Sequence, residues 1–257
     1  MTSAAENTVS GPLTDEQVQQ FREQGYLVVP GLFTPEEMVP ITEWVNEVEN
    51  WPETPGKWMM YFEETENARL LNRIENVLPH HENFMALATG DKMQGACGQL
   101  FGEPAVLFKD KINFKKAGGG GFESHQDVQA GWGTYADLHI TCLITVDKTT
   151  VENGCLEMVG GFHNRGLLGD EWVPLDDNAV EMEYVKVEAE PGDAVFFDSY
   201  APHRSGPNNT DQSRRVLYYT YNAASQGEHF EQYYIDKRKS YPPDCEREDG
   251  KEYRYRV

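Results

Sequence analysis

The spacing of apolar positions changes character about two-fifths of the way along this chain. In the first part the apolar residues recur at helical intervals. Thr14-Asp15-Glu16-Gln17 is a capping box, with Val18 and Phe21 as a short apolar stripe and Gly25 as the stop. Tyr26-Leu27-Val28-Val29 then reads as a strand. Thr34-Pro35-Glu36-Glu37 is a second capping box, and its helix continues through Ile41, Trp44, Val45 and Val48. Residues 51–66, WPETPGKWMMYFEETE, are aromatic and irregular, and helical pattern returns over roughly 80–101. From about residue 104 the period is that of strands. AVLFKDKINFK, ADLHITCLITVD, GCLEMV, YVKVEA, DAVFFDSY and RRVLYYTYN are rich in β-branched and aromatic residues. Asn153-Gly154 and Pro191-Gly192-Asp193 punctuate them as turns. Short strands between such turns predict a mainly β protein with helical support, a sandwich or jelly roll. The expected layout is a single domain over 1–257, with a helical part over 13–101 covering a β core over 104–225.

Charge and cysteine content narrow the function. Lys plus Arg number 22 against 43 Asp plus Glu, a formal charge of −21. Such a surface repels phosphate backbones and anionic bilayers, so nucleic acid and membrane are not expected partners. A small anionic substrate is not excluded, because a few cations inside a pocket override the surface. Cys97, Cys142, Cys155 and Cys245 form no CxxC pair and read as reduced thiols, which suggests a cytoplasmic location. The N-terminus has no signal-peptide pattern and no window has transmembrane length. Oligomeric state is not legible.

The chemistry is concentrated in GGGGFESHQDVQAGW, residues 118–132. A glycine run alone is a mobile surface loop, or here a loop that covers a site. An HxD pair alone is weak, and HxE occurs at His80/Glu82 and His229/Glu231. On a strand, however, His125 and Asp127 share one face. A second histidine is available at His203, in YAPHRSGPNN after the strand DAVFFDSY. Two histidines and a carboxylate leave metal positions open, the donor set of non-haem Fe(II) oxygenases, whereas structural zinc closes its site with protein ligands. Oxygenases of this kind use 2-oxoglutarate, and Arg214 at the head of RRVLYYTYN offers a guanidinium fork for its far carboxylate.

The ordered set HQD, NGCLEMVGGFH, PGDAVFFDS, PHRSGPN and the following arginine resembles the phytanoyl-CoA dioxygenase family. The resemblance runs from the helix near residue 14 to about residue 225 and implies a double-stranded β-helix with Fe(II), 2-oxoglutarate and O2 as cofactors. It implies His125, Asp127 and His203 on iron, Arg214 on 2-oxoglutarate, and Ser205 as a hydroxyl beside the same carboxylate. Related halogenases replace the aspartate, so Asp127 implies hydroxylation. LNRIENVLPHHE and KINFKKAGGGGFESHQDVQAGW resemble, closer still, bacterial hydroxylases of 2-aminoethylphosphonate and its N-trimethyl analogue. That implies a small aminoalkylphosphonate hydroxylated at the carbon next to phosphorus.

Several single residues follow from these expectations. Asn113, between Ile112 and Phe114, is a pocket candidate, while Lys111 and Lys115 of the same parity suit a solvated strand face. Gln126 lies between the two ligands and is a candidate on the cofactor side. Arg73 and Asn76 stand at helical spacing, either on an exposed helix face or among phosphonate donors together with Asn113, Gln126 and His139. His139 is a pocket ligand or a hydrogen-bonded core histidine. Trp58, Tyr61 and Phe62, or Trp132 and Tyr135, are core aromatics or an aromatic cage for a quaternary ammonium, which tips the expectation toward the trimethylated substrate. The competing classes are a metal-binding cupin-like sensor and a zinc hydrolase. Neither requires Arg214 and Ser205.

Overall fold

Two capping boxes begin the structure as the sequence predicts. In this computed structural model, which describes residues 9–65, 68–176 and 181–253, Thr14 caps α1 (Asp15–Gln24) and Gly25 ends it in the left-handed region. β1 (Tyr26–Val29) follows, and Thr34 caps α2 (Pro35–Glu49) in the same reciprocal way.

Beyond α2 the structure departs from expectation. The segment read as irregular contains β2 (Met59–Glu64), and LNRIEN is β3 (Arg69–Glu75), not a helix. The two pair with each other, and β3 pairs on to β4 (Ala105–Lys115). A helical period would put Leu71 and Ile74 on one face; the strand does so through a bulge that skips Asn72, between the Tyr61–Arg73 and Phe62–Leu71 pairs. Asn76 closes β3 with φ 58°, a left-handed position that asparagine tolerates. The helical stretch over 80–101 is present as α3 (Glu82–Ala88) and α4 (Ala96–Phe101), joined by a π-helical turn over Asp91–Gly95.

The remaining strands are β5 (Phe122–His125), β6 (His139–Thr145), β7 (Leu156–Met158), β8 (Val185–Val187), β9 (Ala194–Asp198), β10 (His203–Ser205) and β11 (Arg214–Ala223), followed by α5 (Phe230–Ser240). They form a seven-stranded sheet in the order β1-β9-β6-β11-β4-β3-β2 and a four-stranded sheet in the order β5-β10-β7-β8. All pairings are antiparallel. This is the jelly-roll architecture.

Strand alternation assigns the two faces of the large sheet to different tasks. Ile140, Cys142, Ile144, Phe196, Leu217, Tyr219 and Tyr221 point outward, where Phe21, Ile41, Val45, Phe84 and Leu100 of the helices cover them. Burying each large apolar side chain contributes about 1.5–3 kcal/mol, so the helices are integral to the core. The Tyr221 hydroxyl donates to the Ala88 carbonyl at 2.6 Å and ties α3 to the sheet. On the inner face, Leu143, Val195, Phe197 and Val216 meet Leu156, Met158 and Val187 of the small sheet. Toward one end of this interface the inward positions of β4, β6 and β11 become polar, and a cavity opens between the sheets.

Candidate active site

Cross-strand register creates the centre of the cavity. β10 lies antiparallel to β5 with His203 directly opposite His125, which sets their rings 4.3 Å apart. Asp127 is not on the strand. β5 ends at His125, and Asp127 opens a 3-10 turn over Asp127–Ala130. The expected alternation therefore does not deliver the pair; the turn folds the carboxylate back. Asp127 Oδ1 stands 3.8 Å from His125 Nε2 and 3.8 Å from His203 Nε2. Ligand atoms of the three residues all lie within 4.8 Å of one another, and it is the group of metal-capable side chains found among the described residues. Two metal–ligand bonds of about 2.1 Å span the 3.8 Å separations.

The surroundings set the state of each donor. His125 Nδ1–H donates to the Glu123 carbonyl at 2.7 Å and His203 Nδ1–H to the Ala201 carbonyl at 3.1 Å, so both Nε2 atoms carry lone pairs that face the carboxylate. Burial, reinforced by His203, pushes the His125 imidazole down to about 3, which keeps it neutral as a metal requires. Burial opposes ionisation of Asp127, but His203, His125, Lys111 and Lys109 outweigh it and hold the carboxyl below its usual value. The Thr141 hydroxyl donates to Asp127 Oδ2 at 3.3 Å. Two neutral imidazoles and one carboxylate suit a divalent cation with open positions, so the donors fit Fe(II).

The glycine run is tied down and does not hang free as a lid. Gly118 N–H donates to the Asn208 carbonyl at 3.0 Å, and Gly120 N–H donates to Glu63 Oε1 at 2.8 Å. A Cβ at Gly121 would lie 2.4 Å from the Ser205 carbonyl oxygen. Glycine there lets the chain pass close against β10, which aims β5 and its histidine inward.

A second buried cluster stands beside the triad. Ser205 lines the cavity, and Lys115 Nζ donates to its hydroxyl at 2.8 Å. Arg214 is 3% exposed, donates to the Gly154 carbonyl at 2.7 Å and interacts with Tyr218, which lines the cavity. Burial and the nearby Arg214 push the Lys115 ammonium down to about 7. Lys115 is therefore not on the solvated face expected for it, and Arg215 points away to ion-pair with Asp147 at 2.7 Å. Asn113 lines the cavity as expected and is buried.

The cavity has a volume of about 320 Å³. Its far end is walled by Trp132, Tyr135 and Tyr233, with Lys109 from β4 and Asp236, Lys237 and Tyr241 from α5 and beyond. Lys111 lies between the two ends, and burial pushes it down to about 7. The inward lysines follow from β4 geometry. β11 pairs Thr220 with Lys109 and then Tyr221 with Leu107, a bulge that skips Phe108 and turns both Phe108 and Lys109 toward the cavity side.

Other expected residues do not meet there. Gln126 is fully buried and clamps the backbone: its amide donates to the Gly166 and Tyr200 carbonyls and its oxygen accepts from Leu168 N–H. It is a structural bracket and not a cofactor contact. Trp58 packs at a tilt 4.2 Å from Trp51 and donates to the Pro52 carbonyl, away from the cavity. Phe62 lies under the Arg69 guanidinium, 3.4 Å from its centre. Tyr61 donates to the Tyr241 carbonyl at 2.8 Å and backs the cavity wall without lining it. His139 is buried between Phe108 and Trp132, with no hydrogen-bond partner for either ring nitrogen among the described residues. It is neither a cavity ligand nor a hydrogen-bonded core histidine, and burial pushes it down to about 3. Arg73 is buried beneath the wall, 2.8 Å from Glu75, and Asn76 serves the turn after β3.

The model of the family described as phytanoyl-CoA dioxygenase (PhyH) matches residues 21–216. The chain belongs to the phytanoyl-CoA dioxygenase family. Among curated family relatives, a methylphosphonate hydroxylase of Gimesia maris is 44% identical over 236 residues, covering 89% of this chain and 88% of the relative. A 2-aminoethylphosphonate dioxygenase of an uncultured bacterium, HF130_AEPn_1, is 40% identical over 244 residues, 93% of each chain. The fold matches that of EctD from S. alaskensis, solved with 2-oxoglutarate and 5-hydroxyectoine, with a TM-score of 0.73 and 20% identity over 86% of this chain and 82% of that one. This phytanoyl-CoA dioxygenase family member is an Fe(II)- and 2-oxoglutarate-dependent dioxygenase. No helix among the described residues is long and apolar enough to cross a membrane, and its four cysteines are free thiols.

Proposed function

We propose that this dioxygenase hydroxylates a small phosphonate at the carbon bonded to phosphorus. One observation carries the proposal: in a chain of formal charge −21, the cavity that opens onto the triad is lined by Lys109, Lys111, Lys237 and Arg204. Cations concentrated at a closed site in an acidic protein select a small anion. The two relatives named for methylphosphonate and 2-aminoethylphosphonate support the phosphonate class.

In this proposal His125, Asp127 and His203 hold Fe(II), and Arg214, Lys115 and Ser205 receive the far carboxylate of 2-oxoglutarate. Fe(II), when bound with 2-oxoglutarate and O2, supplies the oxidising chemistry that turns a C–H bond into C–OH, with succinate and CO2 as co-products. The residues of the chain hold and orient. The Glu123 and Ala201 carbonyls fix the histidine tautomers, Thr141 steadies Asp127, and Phe197 packs 4.9 Å from the His203 ring. Trp132 and Tyr135 close the far wall against water.

Of the expected aromatics Trp132 and Tyr135 line the cavity, joined there by Tyr233 and Tyr241, and Lys109 Nζ sits 5.3 Å over the Trp132 ring. The lysines among these rings favour an anionic group at this end, which supports an alkylphosphonate or an aminoalkylphosphonate as the substrate class. The test incubates the enzyme with Fe(II), 2-oxoglutarate and either methylphosphonate or 2-aminoethylphosphonate, followed by phosphorus NMR. A 1-hydroxy product from at least one is expected; none from either overturns the proposal.

A further inference from the structure

A buried carboxylate stands behind the cavity's far wall, apart from the groups that hold metal and cofactor. Glu75, at the end of β3, is 1% exposed. Arg73 Nε lies 2.8 Å from its Oε1, and Lys237 Nζ of α5 lies 2.5 Å from its Oε2. Lys109 Nζ of β4 is 3.8 Å from the same Oε2. Burial alone would raise its carboxyl, but Lys109, Lys237 and Arg73 hold it well below the usual range. Such a group is costly to desolvate, and a purely structural bridge is replaced by apolar packing with little loss. The arrangement also places more charge than it balances. Burial draws the Lys237 ammonium well below its usual range while Glu75 pulls it back up; with Lys237 charged, three cations surround one carboxylate, and the side chains of Lys109 and Lys237 line the cavity.

The acids nearby cancel only part of that excess, because Asp236 adds one further carboxylate against three cations. Asp236, the carboxylate that also lines this end, accepts hydrogen bonds from the Tyr135 hydroxyl at 3.0 Å and the Gln232 amide at 2.9 Å. Asp110 is buried on the other side of β4, where Val77 N–H and the Tyr234 hydroxyl bond it, and burial pushes it up to about 6. The aromatic faces at this end look onto the lysines: Lys109 Nζ is 5.5 Å over Tyr233, and Lys237 Nζ is 5.8 Å over the same ring.

We propose that Glu75 is a positioning residue that gathers Lys109 and Lys237 into a cation pair at the cavity's far end, and that this pair receives the oxygens of a small dianion. The inference rests on the phosphonate reading and adds where and how the anionic group is held. A lysine ammonium offers three N–H donors on a flexible stem, so without a buried anchor each lysine would swing to solvent. Glu75 fixes two such stems from different elements, β4 and α5, at one place. A phosphonate bound there directs its carbon substituent back toward His125, Asp127 and His203. The pair also disfavours a cationic tail at this end, by like-charge repulsion.

The test uses Lys237→Met, Lys109→Met, Glu75→Gln and Glu75→Asp in the full chain. Anaerobic calorimetry measures methylphosphonate binding to protein loaded with Fe(II) and 2-oxoglutarate; steady-state assays follow product and succinate. Lys237→Met is expected to weaken phosphonate binding and raise the phosphonate KM about 10-fold or more, as loss of a charge-assisted contact does, while the 2-oxoglutarate KM stays nearly unchanged. Succinate formed per hydroxylated product should rise, because a misplaced substrate is hydroxylated less often per turnover. Glu75→Gln should show the same split, Glu75→Asp should restore part of it, and Glu75→Gln with Lys237→Met should be no worse than the poorer single variant. Because Glu75→Gln leaves cations unpaired and can unfold the chain, Lys237→Met decides the matter. Wild-type turnover with unchanged binding and KM in Lys237→Met overturns the cation pair and leaves the phosphonate reading intact. Tight binding lost in Lys237→Met, with no hydroxylation by wild type, overturns that reading and supports the pair. No binding to wild type overturns both.

Discussion

The two ends of the cavity hold buried charge by different constructions. At the metal end, His125 and Asp127 are near neighbours in the chain, and one strand pairing brings His203 opposite His125. The donors are neutral or singly charged, each imidazole is oriented by a backbone carbonyl two residues away, and the excess charge is negative, as a cation requires. At the far end, Glu75, Lys109 and Lys237 come from β3, β4 and α5, and the ion pair between Glu75 and Lys237 closes a separation of 162 residues. There the excess charge is positive. On the proposed reading, a site for a metal and a site for an anion stand at opposite ends of one cavity, one built from local backbone and the other from long-range ion pairs.

The largest expected effect breaks the metal end alone. Asp127→Ala removes the anionic ligand while β5, β10 and their apolar supports remain. Hydroxylation should fall by at least about three orders of magnitude, with far-ultraviolet circular dichroism unchanged. A variant that turns over at the wild-type rate would remove Asp127 from the metal site. Next in size is the cofactor anchor. Arg214→Lys exchanges a fork for a point charge, so the 2-oxoglutarate KM should rise on the order of 10- to 100-fold while Fe(II) affinity stays close to wild type. No rise at all would transfer the anchor to Lys115.

The contrast between the ends also explains what the sequence discloses. HQD, HRSGPN and Arg214 are legible because their chemistry is local: the donors sit on or beside short strands, and register supplies the rest. The jelly roll is legible for the same reason, from strand runs and turn residues after residue 104. The far end is not. LNRIEN has apolar residues at the helical spacing i, i+3, and only a bulge at Asn72 and pairing with β4 make it a strand. The lysines of β4 read as a solvated face because alternation gives parity but does not say which face is inside. Lys115 is 4% exposed despite its charge. Lys237 carries no signal at all, since its partner is on another element. The aromatic expectation fails at Trp58 and Phe62 for a related reason: aromatics fill core and cap surfaces more often than they line sites.

The smallest predicted effect lies outside both ends and checks that stability and function are separable. Burial pushes the Asp198 carboxyl up to about 7, although it accepts from Tyr200 N–H at 2.7 Å. A carboxyl whose folded value is raised favours the folded state when protonated, so its stabilisation is present below the unfolded value and declines as pH rises toward 7. Asp198→Asn keeps the acceptor without the charge. It should stabilise the protein on the order of 1–3 kcal/mol at about pH 8 and by almost nothing at about pH 4, measured by denaturant unfolding. A loss of stability in the alkaline measurement would contradict that assignment.

We propose that His125, Asp127 and His203 hold Fe(II) in a way that leaves room for 2-oxoglutarate beside Arg214. Anaerobic titration of Fe(II) into metal-free protein with 2-oxoglutarate, followed by visible absorbance, tests it most directly. A keto acid chelating iron gives a charge-transfer band. The band should appear in the wild type, need both components and be absent in Asp127→Ala. No band in the wild type, or an undiminished band in Asp127→Ala, would contradict it.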